Sequence, residues 1–294
     1  MLLPYLSLAA AMALVGLNVP VSKAVVVYIP VFLFAFLRCL FGFVVLAPVL
    51  VRRGEWRLDK ASAKTLASQA FFGAFLFNVF ILLGVERTSA VSAGIITSAI
   101  PAGAALLAVF LFGEKIRLRE MAVIGCAVLG ICFVNLAGAG SGGESDLVGN
   151  MLVLGAVLAE SYFLMVAQRA STRLSALAAT TWLNGFAALM FLPMAIWELR
   201  DFVWTSVPTD VWLMALYFSA TASVICYGLW FWGAKRVPMT RSGLFSAILP
   251  MSAVIGGALM LDETVTPLHL AGMLLTITAI LLGVLLPARR RKLS

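Results

Sequence analysis

Two stretches decide the reading: residues 84–114, GVERTSAVSAGIITSAIPAGAALLAVFLFGE, and residues 233–263, GAKRVPMTRSGLFSAILPMSAVIGGALMLDE. Laid one on the other at an offset of 149 (233 − 84), they share Gly84 with Gly233, Arg87 with Arg236, Gly94 with Gly243, Pro101 with Pro250, Ala104 with Ala253 and Glu114 with Glu263, without a gap. Each begins at a charged break and continues into a long apolar run, so each reads as a turn followed by a membrane-spanning helix. The same offset carries Asn78 onto Tyr227 in the runs that come before.

The rest of the chain has the same character. It is 63% hydrophobic and 12% charged over 294 residues, whereas a soluble domain has about 45–50% apolar and about 25% charged residues. The apolar runs are continuous and do not alternate with a period of two, which excludes a β-barrel. Helices satisfy their own backbone in lipid. At about 20 residues per span, ten spans fit, near 3–22, 30–51, 66–85, 90–113, 119–137, 147–168, 176–197, 210–233, 242–261 and 267–287. The apolar start at residues 3–22 has no basic residue ahead of it and runs past any cleavage point, so it is expected to remain as the first span.

The net charge of +8 is explained by orientation. Of the 21 Lys and Arg, only Lys23, Arg87 and Arg200 fall on one side of this span pattern and Arg38 lies within a span; the remaining 17 (21 − 4) fall on the other. That asymmetry places both termini in the cytoplasm of an inner, or plasma, membrane protein. It also removes nucleic acid as a partner, because the basic residues are dispersed over membrane loops.

Two five-span halves must cross the membrane in opposite senses. The expected architecture is therefore all-α, with ten helices in two inverted repeats around a central cavity: residues 1–137, a Gly-rich periplasmic linker at 138–146, residues 147–287 and a basic cytoplasmic tail at 288–294. Inverted repeats with a midplane site are the plan of many secondary transporters. Pro101 and Pro250 fall near the centres of their spans and are the candidate hinges, since proline removes an intrahelical hydrogen bond.

Residues 84–125 and 233–275 resemble the duplicated EamA domain of the drug/metabolite transporter superfamily. Gly16, Asn18 and Lys23 in the first span, and Arg38 within FLFAFLRCLFGF, are similar to that family's opening. The resemblance covers essentially the whole chain. It implies ten helices in two inverted repeats, a cavity lined mainly by helices one, three, four, six, eight and nine, and export of small metabolites. Val15 stands where the family often has a Trp.

An ionised side chain at a helix centre costs roughly 2.5–3.5 kcal/mol on insertion scales. Arg38 and Glu160 are therefore the foremost solute contacts, Arg38 for a carboxylate and Glu160 for an ammonium group or a coupling proton. The alternative is a structural ion pair between the two. Asn18, Asn78, Ser98, Tyr162, Tyr227, Trp230 and Ser246 complete the candidate cavity lining, and Asn184 reads as a tie between helices. Trp56, Trp197, Trp204 and Trp212 suit an interfacial belt. Aromatic residues in the sixth and eighth spans favour amino acids, aromatic ones included, over sugar phosphates, nucleosides or lipophilic cations.

No P-loop, G-x-S-x-G or H-E-x-x-H motif occurs, so neither an enzyme nor a cofactor is expected. Cys39, Cys126, Cys132 and Cys226 sit in apolar runs without ligand spacing, and His269 lacks metal-ligand company, so no metal is expected either. A passive channel is a lesser alternative, without a filter signature.

Overall fold

The computed structural model describes residues 3–97, 146–170, 174–236 and 248–263, together with isolated positions between and after them; side chains at 164–170 and 250 are not included. Pro101, Ser98, Ser246, Glu114 and the linker at 138–145 lie outside the described residues, and Pro250 is described only as part of a helical backbone. Among the described residues the fold is all helical.

Eight helices are named here in chain order: α1 (Leu3–Val26), α2 (Val31–Arg52), α3 (Lys60–Arg87), α4 (Ala90–Thr97), α5 (Leu147–Ala170), α6 (Ala176–Leu199), α7 (Thr209–Ala234) and α8 (Ile248–Met260). α1, α2, α3, α6 and α7 are each long and apolar enough to cross a membrane. Their bounds agree with the expected spans to within a few residues, except that α3 starts six residues earlier. The cause is local: Asp59 accepts the Ser62 N–H at 3.1 Å, a helix N-cap that extends the helix through a polar first turn bearing Lys60 and Lys64. The Ser62 side chain, together with this backbone bond, holds the exposed Asp59 carboxyl below the usual carboxylate range.

The other ends are set with equal economy. Glu198 accepts the Leu33 N–H at 2.7 Å and so satisfies an orphan donor at the start of α2. α2 stops at Gly54, whose φ of 70° requires the left-handed region that glycine reaches without strain. Ser175 caps α6 by accepting from the Ala178 N–H at 3.1 Å, and its hydroxyl donates to Glu55. Between α3 and α4 the chain turns at Thr88 and Ser89, with Thr88 donating to Asn150 Oδ1 of α5 at 2.7 Å.

Two helices carry a π-helical stretch, Ala70–Leu76 in α3 and Ser219–Cys226 in α7. The α-helical turns before them, Lys60–Gln69 and Thr209–Phe218, begin and end 149 residues apart, the offset at which the sequence repeats. A π stretch leaves carbonyls off the regular ladder and often marks a functional segment. Here side chains bond them: Asn78 donates to the Ala74 carbonyl, and Asn184 of α6 donates to the Ser223 carbonyl at 2.7 Å as well as to its own Thr180 carbonyl at 2.9 Å. The reading of Asn184 as an interhelical tie holds.

Packing is closest where α1 meets α8. A methyl group on Gly16 would come within 2.3 Å of the Leu249 carbonyl oxygen, and one on Gly256 within 2.9 Å of the Pro20 ring. α8 in turn lies against α4, where Gly257 faces Val91. Small residues permit such backbone approach in lipid. Large apolar side chains such as Val44, Leu189, Leu213 and Leu216 point outward, as a lipid-facing surface requires. Trp204 stacks on Trp212 at 5.6 Å, Trp56 meets Trp182 at a tilt with ring centroids 4.6 Å apart, and Arg200 lies 5.0 Å over Trp197.

Candidate functional site

α1, α2, α3, α5 and α7 surround a cavity with about 90 Å³ of water-accessible space, room for a handful of waters at about 10–15 Å³ each. Six of the nine expected lining residues are there: Asn18, Arg38, Asn78, Glu160, Tyr227 and Trp230. Ser98 and Ser246 lie outside the described residues. Tyr162 is not in the lining. Its ring lies 4.0 Å from that of Phe72 and its hydroxyl 3.3 Å from Ser68, one residue round the helix from Ser161, which binds the Ile100 carbonyl at 2.9 Å.

Arg38 enters from α2 and is buried. It donates to Ser223 Oγ at 3.0 Å, and its guanidinium carbon lies 5.9 Å over the Phe218 ring, a cation–π distance. Ser223 thus joins three helices, accepting from Arg38 of α2 at its hydroxyl and from Asn184 of α6 at its carbonyl. Glycine at position 42 makes room for this junction, because a methyl there would lie 2.8 Å from Ser223 Cβ and 2.9 Å from Asn184. Sequence reading missed Ser223; only its place on the π stretch of α7, facing a buried arginine, gives it a role.

Glu160 enters from α5. Among the described residues, the carboxylate of Glu160 makes no ion pair with Arg38, since the sole pair within 4.0 Å joins Lys23 and Glu263. The structural-pair alternative is therefore not the arrangement seen. Tyr227, Arg38 and Glu160 all line the same cavity, so the guanidinium, the phenol and the carboxyl group face a common space.

Three lining donors are buried without a partner: Arg38 Nε, Asn18 Nδ2 and Trp230 Nε1. Asn18 uses its other terminus, Oδ1, which lies 3.0 Å from the Thr221 hydroxyl. Unpaired buried donors are costly, about 1–3 kcal/mol each. The wall therefore offers several unused N–H groups and one carboxylate to whatever enters, against apolar faces from Met12, Val15, Phe77, Phe163 and Phe218. Helix two contributes Arg38 to the lining, beyond the helices that the resemblance implies; among the described residues, none of α4 or α8 lines the cavity.

A family model described as the EamA-like transporter family matches this chain twice, over residues 2–136 and 147–285. The chain belongs to that family. It is 40% identical over 286 residues to the uncharacterized transporter YetK of Bacillus subtilis, covering 96% of this chain and 86% of YetK. It is 27% identical over 188 residues to a probable amino-acid metabolite efflux pump of Escherichia coli, covering 61% of this chain and 62% of that one. A crystal structure of another protein superposes with a TM-score of 0.65 over 95% of both chains at 17% identity, a likeness of fold. As an EamA-family protein, the chain is a multi-pass membrane transporter whose partners are a small-molecule solute and the lipid around it.

Proposed function

We propose that this EamA-family protein is a secondary transporter that exports small organic metabolites, amino acids foremost and aromatic ones among them, across a plasma (inner) membrane. The observation that carries the reading is Arg38, a buried guanidinium on the cavity wall whose Nε is unpaired and which, among the described residues, has no carboxylate within 4.0 Å. A charge in that position calls for a counter-charge, and the carboxylate of an amino acid supplies one in bidentate geometry. Glu160, elsewhere on the same wall, takes the ammonium end, or a coupling proton when the solute has left. Trp230, Tyr227 and the phenylalanines offer faces for an apolar or aromatic side chain. The amino-acid efflux relatives support this choice.

Alternating access follows from two halves of opposite sense, residues 1–137 and 147–287, with both termini cytoplasmic. The double family match and the equivalent π stretches of α3 and α7 support the repeat; the seventeen-to-three distribution of basic residues supports the orientation. Pro101 and Pro250 serve as hinges.

The test is uptake by purified protein in proteoliposomes across a panel of amino acids, nucleosides, sugar phosphates and cationic drugs, with and without a pH gradient. Saturable amino-acid flux is expected, with Arg38→Gln reducing it at least tenfold and Glu160→Gln altering its pH dependence. Absence of saturable flux for every amino acid would refute the assignment.

A further inference from the structure

The one ion pair among the described residues lies beyond the cavity, and the solute site does not account for it. Glu263 follows α8 in a turn fixed by two bonds to the Gly257 carbonyl, from the N–H of Leu261 at 3.2 Å and of Glu263 at 3.3 Å. Asp262, between them, has a φ of 51°, a left-handed conformation that Asp tolerates better than most residues. The turn directs the Glu263 carboxylate back under α8. One oxygen accepts from Lys23 Nζ at 2.7 Å and from the Ala90 N–H at 3.0 Å, and the other accepts from the Val91 N–H at 2.9 Å. Its side chain is 6% exposed. One carboxylate thus fastens the end of α1, the start of α4 and the turn after α8, using three donors and the positive end of the α4 dipole.

Position relative to the cavity gives this contact its meaning. The α1 lining runs from Ala11 to Ser22, and Lys23 is the next residue. Alongside this stretch, Gly16 and Gly256 hold α1 close against α8, and Gly257 holds α8 close against α4. The cavity is contracted to water-scale space. These three helices meet beside the Lys23 end of the α1 lining, and Glu263 bonds to two of them from the turn that ends the third.

We propose that Glu263 is the latch that closes this end of the cavity, acting as a positioning residue without touching solute, and that its release of Lys23 and of the α4 N-terminus opens the cavity to that face. The orientation under Proposed function makes that face external; the latch itself does not depend on the solute.

Cys226 lines the cavity and serves as a native reporter. The full-length protein, with Cys39, Cys126 and Cys132 replaced by Ala, is treated with a membrane-impermeant maleimide in right-side-out and in inside-out vesicles. Glu263→Gln is expected to raise the labelling rate of Cys226 about tenfold from the Lys23 face and to leave the rate from the opposite face unchanged. Lys23→Met, which keeps both N–H contacts, is expected to give a smaller rise of about threefold from the same face. An unchanged rate in both variants, or an equal rise from both faces as in a generally loosened fold, would overturn the proposal. Should Glu263→Gln fail to accumulate, Lys23→Met decides alone by the same two outcomes. No solute is needed, so failure of the amino-acid assignment leaves this test intact.

Discussion

Replacing Gly16 by Ala probes whether the α1–α8 contact governs the protein. The added Cβ would lie 2.2 Å from Ser252 Oγ, 2.3 Å from the Leu249 carbonyl oxygen and 2.9 Å from the Ala253 nitrogen. The serine hydroxyl can rotate, but the other two atoms are backbone. Restoring ordinary contact at about 3.4 Å means moving α1 and α8 apart by about 1.1 Å (3.4 − 2.3). Forcing extra volume into a close-packed contact costs about 1–3 kcal/mol, and each kcal/mol shifts Tm by about 2–4 °C in a chain of around this size. A fall of about 2–12 °C in the melting temperature of the detergent-solubilised protein is expected, with faster labelling of Cys226 from the Lys23 face. Gly228→Ala is the matched control: it lies in α7, and nothing stands within 4 Å of its Cβ position. It is expected to be neutral or stabilising by up to about 1 kcal/mol. Equal melting temperatures for the two variants would refute the claim that backbone approach at Gly16 sets the packing.

Asn184→Leu keeps the side-chain shape but strands the Ser223 carbonyl, and a loss of about 1–3 kcal/mol should appear as a lower Tm; no change would mean that α6 and α7 do not depend on this tie. Gly73→Ala would drive a methyl against the Phe163 ring, at 2.3 Å from Cδ2. Both residues line the cavity, and the methyl would also lie 2.8 Å from Phe163 Cβ, which ring tilting does not move, so a raised KM together with a lower Tm is expected in the proteoliposome and melting assays, and no change in either would count against that geometry.

The membrane-spanning helices were legible because each rests on a sum over local residues. Insertion into lipid adds up along a run of about 20, and the basic residues sort by loop, so neither needs knowledge of what touches what. The sequence match at an offset of 149 was legible for the same reason, and the two π stretches begin at that same offset. Arg38 and Glu160 were found because charge inside an apolar run is costly wherever it points.

Other features were out of reach of any local pattern. Tyr162 and Tyr227 look alike in sequence, yet one packs on Phe72 and the other faces the cavity. In water a helix declares its inner face by polarity, but in a membrane both lipid and protein interior are apolar, so the sequence does not say which side of such a helix is which. Lys23 meets Glu263 across 240 positions and Arg38 meets Ser223 across 185. The sequence by itself determined that the chain spans the membrane and which charges it had to accommodate. Only the tertiary structure decided the partners of those charges, since rotation of each helix about its axis is set by interhelical packing at glycines such as Gly16 and Gly42, which no run of hydropathy records.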